Sequence, residues 1–129
     1  MLSNLDESLL HQSPWPFRMA GLSDHRFFDR YWFEALDPAG ELALISGMGV
    51  YKNTGVIDGY VSIQLDGRQH NVRWSRAIGE RVDDLGLGPL NVTILEPYRR
   101  LRLQIGPNAS GVAADLEWQS DFPPYVEAH

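Results

Sequence analysis

The stretch Arg100-Leu101-Arg102-Leu103-Gln104-Ile105, followed after a turn by Val112-Ala113-Ala114-Asp115-Leu116-Glu117-Trp118-Gln119, decides the fold. Apolar and polar residues alternate in both segments. A period of two places every second side chain on one face of a pleated strand. Leu101, Leu103, Ile105, Val112, Ala114, Leu116 and Trp118 then share an apolar face, while Arg100, Arg102, Asp115 and Glu117 meet water. Such a strand pair belongs to an antiparallel sheet with one greasy and one wet face.

Working outward, the same alternation restarts after each turn signal, giving seven expected strands at about 30–36, 41–51, 59–65, 68–75, 90–95, 100–105 and 111–119. Asp37-Pro38-Ala39-Gly40 reads as a turn, Asp66-Gly67 as a tight hairpin and Glu96-Pro97-Tyr98-Arg99 as another turn. Gly47 and Gly49 interrupt the second strand, which predicts a bulge, a bend or a close approach there. Segment 77–89 is irregular, with room for one helical turn near Glu80 to Leu85. The expected fold is all-β, an antiparallel meander forming a barrel or a curled sandwich, incomplete with seven strands.

Residues 1–29 differ from this β domain of 30–120. Ser3 can cap a short helix over Asp6 and Glu7, Pro14 and Pro16 end it, and Trp15-Pro16-Phe17 suits an extended cover over a sheet face. Residues 121–129 form a Pro-rich, aromatic tail. An unprotected last strand is an aggregation hazard. The reading therefore expects a second β domain beyond it, or a homo-oligomer through the open edge.

Composition narrows the chemistry. Seventeen acids against eleven bases give a net charge of −6, which speaks against a nucleic-acid partner. No apolar run approaches the roughly 18–20 residues of a membrane span, and the N-terminus lacks the pattern of a secretory signal. Cysteine is absent, which removes disulfides, thiolate metal sites and a cysteine nucleophile. The expected location is cytoplasmic. His11, His25, His70 and His129 are not spaced as metal pairs, and no serine sits in a nucleophile elbow. No cofactor is called for. His70 shares the parity of Val72 and Trp74 and reads as a structural histidine.

The candidate site is an acid, an arginine and aromatics near strand ends. Trp32, Tyr51 and Trp74 would shape a pocket, with Glu34 and Arg73 as polar contacts. The expected ligand is an apolar small molecule. Two alternatives remain open: a non-catalytic half-domain completed by another β domain or chain, and a carbohydrate-binding sandwich. An enclosed cavity faced by Trp32 and Trp74 favours the first reading. A filled interior with an apolar open edge favours the half-domain. Trp and Tyr in a row on an exposed face favour the sugar binder.

Several segments resemble a known family. Phe28-Asp29-Arg30-Tyr31-Trp32-Phe33-Glu34-Ala35 with Asp37-Pro38-Ala39-Gly40, Gly47-Met48-Gly49-Val50-Tyr51, Asp58-Gly59-Tyr60-Val61 and Val72-Arg73-Trp74-Ser75-Arg76 are similar to the lipocalin-like proteins around hydroxyneurosporene synthase (carotenoid 1,2-hydratase). They are closer to an uncharacterised bacterial branch. Leu95-Glu96-Pro97-Tyr98-Arg99-Arg100-Leu101-Arg102-Leu103, Ala114-Asp115-Leu116-Glu117-Trp118 and Pro123-Pro124 extend the likeness to about residues 25–125. The resemblance implies tandem barrels, of which this chain supplies most of the first. It implies a lipid- or terpenoid-like ligand and a hydratase-like enzyme that protonates an alkene. It transfers no catalytic residue.

Overall fold

A computed structural model describes residues 3–9, 23–80 and 84–125. Among these residues eight strands run in chain order: β1 (Asp29–Leu36), β2 (Leu42–Tyr51), β3 (Val56–Leu65), β4 (Arg68–Ala77), β5 (Gly86–Leu87), β6 (Leu90–Glu96), β7 (Arg100–Ile105) and β8 (Ala114–Gln119). They form two antiparallel four-stranded sheets, β1-β2-β3-β4 and β5-β6-β7-β8. The class is all-β, an antiparallel meander folded as an incomplete sandwich rather than a closed barrel. Among the described residues no helix is long and apolar enough to cross a membrane.

The turns follow their sequence. Asp66 and Gly67 both take positive φ, 51° and 70°, in a two-residue hairpin between Leu65 and Arg68. That geometry matches the twist of the flanking strands. Between β1 and β2 the Asp37 carbonyl accepts from the Gly40 N–H at 2.8 Å. The sequence missed β5, because two residues carry no periodicity. Residues 52–54, between the second and third expected strands, form a 3-10 turn. Gly47 and Gly49 hold an unbroken register with both neighbours, so neither marks a bulge. Among the described residues the one register shift lies between Ile94 and Glu96.

Both sheets supply the core. Tyr31, Phe33, Leu44, Met48, Val50, Ile57 and Val61 come from the first, and Leu87, Leu90, Val92, Leu103 and Ile105 from the second. Leu101, Val112, Ala114, Leu116 and Trp118 pack against them. Arg100 and Arg102 stay on the wet face and pair diagonally with Glu117 and Asp115 at 2.7 Å. Ser46 is wholly buried, and its hydroxyl donates to the Tyr60 carbonyl at 2.8 Å, which satisfies it.

Side chains bridge both seams between the sheets. Arg76 on β4 donates from Nε to the Gly86 carbonyl and from Nη2 to the Asp84 carbonyl, at 2.7 and 2.8 Å. On the other side the Trp118 Nε1–H donates to the Glu34 carbonyl at 3.0 Å.

The N-terminal segment caps one end. Ser3 precedes a single 3-10 turn, Asn4–Glu7, and its N–H donates to the Asp6 carboxylate at 2.6 Å. Leu9 is buried in the common core, the Tyr31 hydroxyl donates to the Glu7 carbonyl, and the Tyr98 hydroxyl donates to the Ser3 carbonyl. Residues 3–9 are thus packed into the β domain. The expected cover at Trp15-Pro16-Phe17, and the core of the expected helical turn at 81–83, lie outside the described residues. His70 is exposed at the far end of β4, not enclosed as a structural histidine.

Candidate functional site

The register of the first sheet lines up residues in rows across all four strands. Trp32 pairs with Gly47, Gly47 with Tyr60 and Tyr60 with Arg73. The neighbouring row is Arg30, Gly49, Asp58 and Ser75. Residues directly opposite in a sheet point to the same side. Phe33 and Met48, one position away from these rows, point into the core. Both rows therefore face outward, away from the second sheet.

These rows floor a groove of about 480 Å³. Its walls include Phe28, Arg30, Trp32, Tyr51, Asp58, Tyr60, Arg73 and Ser75. The two glycines explain its shape. A Cβ on Gly47 would lie 2.8 Å from Tyr60 Cε1, and one on Gly49 would lie 3.0 Å from Tyr51 Cε2. The tyrosine rings lie down on the sheet where the glycines leave room. Trp32 meets Tyr60 edge to face at 6.4 Å between ring centroids and is 56 % exposed. Phe28 packs on Tyr51 at 6.0 Å, and the Arg30 guanidinium lies 5.4 Å from the Phe28 ring. That is a cation–π contact, and it leaves the edge of the guanidinium free to bond.

The charges are few. Asp58 is the single acid among the lining residues. Burial, and then the Asp58 carboxylate beside it, push the Tyr51 hydroxyl above its ordinary pKa, so it remains a donor through neutral pH. Trp32, Tyr51, Arg73 and Trp74, four of the five residues expected at a site, line this groove.

Glu34 does not, and Trp74 turns its ring the other way. Trp74 pairs with Gly59, where a Cβ would meet Leu90 and Leu87 at 2.8 and 2.9 Å. Its indole accordingly packs against the core, while the residue also forms part of the groove wall. Glu34 shares the outward face but lies in the next row, opposite Ile45. It is absent from the groove wall, and its carbonyl serves the Trp118 seam instead. The residues that the site reading missed are Phe28, Arg30, Asp58 and Tyr60. Counting by twos from Trp32 and Tyr51 reaches Arg30 and Phe28, and the Asp66-Gly67 hairpin fixes Tyr60 opposite Arg73.

A second depression lies beside the N-terminal turn, lined by Asp6, Glu7, Ser8, Leu9, Asp29, Arg30 and Tyr31. Asp29 is held there by Lys52, whose Nζ lies 3.3 Å away with its side chain almost fully buried. A buried pair of this kind adds little net stability, because removing both charges from water offsets their attraction. No group of three metal-ligating side chains occurs among the described residues.

No curated protein and no solved structure matches the chain. The model of one family, described as a family of unknown function, DUF8625, matches residues 2–129. That match spans both sheets and every wall of the groove, and the chain belongs to this family.

Proposed function

We propose that the chain is a carbohydrate-binding β domain whose groove on the first sheet takes sugar rings. The observation that carries this reading is the row Trp32–Gly47–Tyr60–Arg73 on an outward face. A sugar ring has an apolar C–H face and a rim of hydroxyls. Trp32 and Tyr60 offer aromatic surface to the face, while Arg73, Asp58, Ser75 and the Tyr51 hydroxyl offer donors and acceptors to the rim. A single exposed aromatic means little, but Trp32 touches Tyr60 on this face, and contiguous exposed aromatic surface marks a contact site.

Binding fits the groove better than hydrolysis. Glycosidases generally use two carboxyl groups about 5–9.5 Å apart. The groove wall holds Asp58 alone, and Glu34 stands two rows away beyond Trp32. The lipid or terpenoid reading needs Trp32 and Trp74 around one enclosed apolar cavity. Their indoles point to opposite faces of the sheet, and the space between the sheets is occupied by core side chains.

Tryptophan fluorescence titrated with soluble neutral and acidic oligosaccharides tests the proposal. A saturable change that disappears in Trp32→Ala is expected. A folded sample that responds to no saccharide overturns it. Response to a fatty acid or terpenoid alone transfers the groove to an apolar ligand.

A further inference from the structure

Resting on the sugar-binding reading, we infer that the groove selects acidic oligosaccharides, with uronate-type carboxylates held by Arg30 and Arg73. Three observations support this. The first is local charge. The chain carries a net charge of −6, yet the groove wall has two arginines against one acid. The wall is thus net positive within a net-negative chain, which favours an anionic ligand there.

The second is that neither arginine is neutralised. The other arginines with a carboxylate nearby use it: Arg26 with Asp24, Arg76 with Asp84, Arg100 with Glu117 and Arg102 with Asp115. Among the described residues, Arg30 and Arg73 have no such pair. Arg30 instead lies over the Phe28 ring, its Cζ 5.4 Å from the centroid, a contact that does not neutralise its charge. A planar fork of this kind matches a carboxylate with two parallel hydrogen bonds.

The third is placement. Arg30 stands on β1 and Arg73 on β4, at opposite margins of the sheet and in adjacent rows. Neighbouring strands lie about 4.8 Å apart, so three such steps separate the two margins by roughly 14 Å. That is wider than one sugar ring. A short chain of rings lying across the strands would rest on Trp32 and Tyr60 and present a carboxylate towards each arginine. Asp58, between them, accepts from ring hydroxyls and repels a carboxylate placed centrally, which sets the register of the chain.

The test compares three oligosaccharides of equal length on the full chain: a neutral one, a uronate and a sulfated one. The uronate is expected to bind about tenfold or more tightly than the neutral oligomer and to weaken as salt rises. Arg73→Gln and Arg30→Gln should each weaken uronate binding severalfold more than neutral binding, so that the preference between the two shrinks. Trp32→Ala should abolish binding of both. Equal affinity for neutral and uronate oligomers overturns the acidic inference and leaves the sugar-binding reading standing. Tighter binding of the sulfated oligomer overturns the carboxylate assignment. No binding of any of the three, with dichroism showing a folded β protein, overturns both.

Discussion

The indole N–H of Trp118, on the last strand, bonds the carbonyl of Glu34, on the first, at 3.0 Å, and the Trp118 ring lies 4.9 Å from Phe33. No strand pairing joins β8 to β1. One side chain thus spans a seam that a barrel would close with a ladder.

Trp118→Phe separates the hydrogen bond from the packing. It should cost about 1 kcal/mol, the ordinary net worth of one hydrogen bond. Trp118→Ala should cost more, roughly 2–4 kcal/mol, because the contact with Phe33 goes too. Glu34→Ala should stay within about 0.5 kcal/mol, since the seam uses only the backbone of Glu34. Urea unfolding of the three variants checks this. A large loss in Glu34→Ala would place the seam in the carboxylate instead.

Two glycines of the first sheet should respond differently to alanine. At Gly59 a new methyl would meet the Leu90 and Leu87 tips and lie 3.1 Å from the Gly47 carbonyl, inside a packed core. Gly59→Ala should therefore destabilise by about 1–3 kcal/mol, as overpacking does. At Gly47 the obstacle is the edge of the Tyr60 ring, on the open face. The ring can swing away, so Gly47→Ala should cost less stability and instead lift Tyr60 off the groove floor. Thermal melts and saccharide titration of both variants distinguish these effects.

Much of this architecture was legible because alternation and turn chemistry agree. Leu101, Leu103 and Ile105 face the core as their spacing required, and Asp66-Gly67 makes the hairpin its type demands. The site was legible only in part, and the reason is the same period of two. Arg73 and Trp74 are adjacent in a strand, so their side chains leave opposite faces: both residues line the groove, but the Trp74 ring packs against the core. Periodicity shows which residues share a face. It does not show which face is covered, because both faces of the first sheet carry aromatics: Tyr31 and Phe33 inward, Trp32 and Tyr60 outward. Gly47 and Gly49 signalled close approach, and the approaching groups are the Tyr60 and Tyr51 rings.

Alkaline pH should loosen the N-terminal cap. Burial first, then the Glu7 and Asp29 carboxylates, raise Tyr31 well above its ordinary value of 10.0. A raised acid holds its proton more tightly folded than unfolded. Its contribution to stability is complete below pH 10 and falls as pH rises towards the folded value. Tyr31 also donates to the Glu7 carbonyl, a bond that ionisation removes. Tyrosinate absorbance should show Tyr31 ionising after the more exposed tyrosines, and Tyr31→Phe should abolish that late step. A Tyr31 that ionises with the others would mean the segment at 3–9 is not docked in solution.

Trp32 and Trp74 offer the sharpest contrast between binding and stability, because they lie on the same sheet and point in opposite directions. Trp32 is 56 % exposed and touches Tyr60 at the groove, so its truncation removes ligand surface and little core. Trp32→Ala should change unfolding free energy by less than about 1 kcal/mol and eliminate the fluorescence response to saccharide. Trp74 packs against the core cluster beside Gly88, whose notional Cβ lies 3.5 Å from the indole. Trp74→Ala should cost about 3 kcal/mol, while Trp74→Phe, which keeps most of the volume, should retain full ligand response. If Trp74→Phe loses binding and Trp32→Ala keeps it, the ligand lies between the sheets, and the groove on the outward face is not the site.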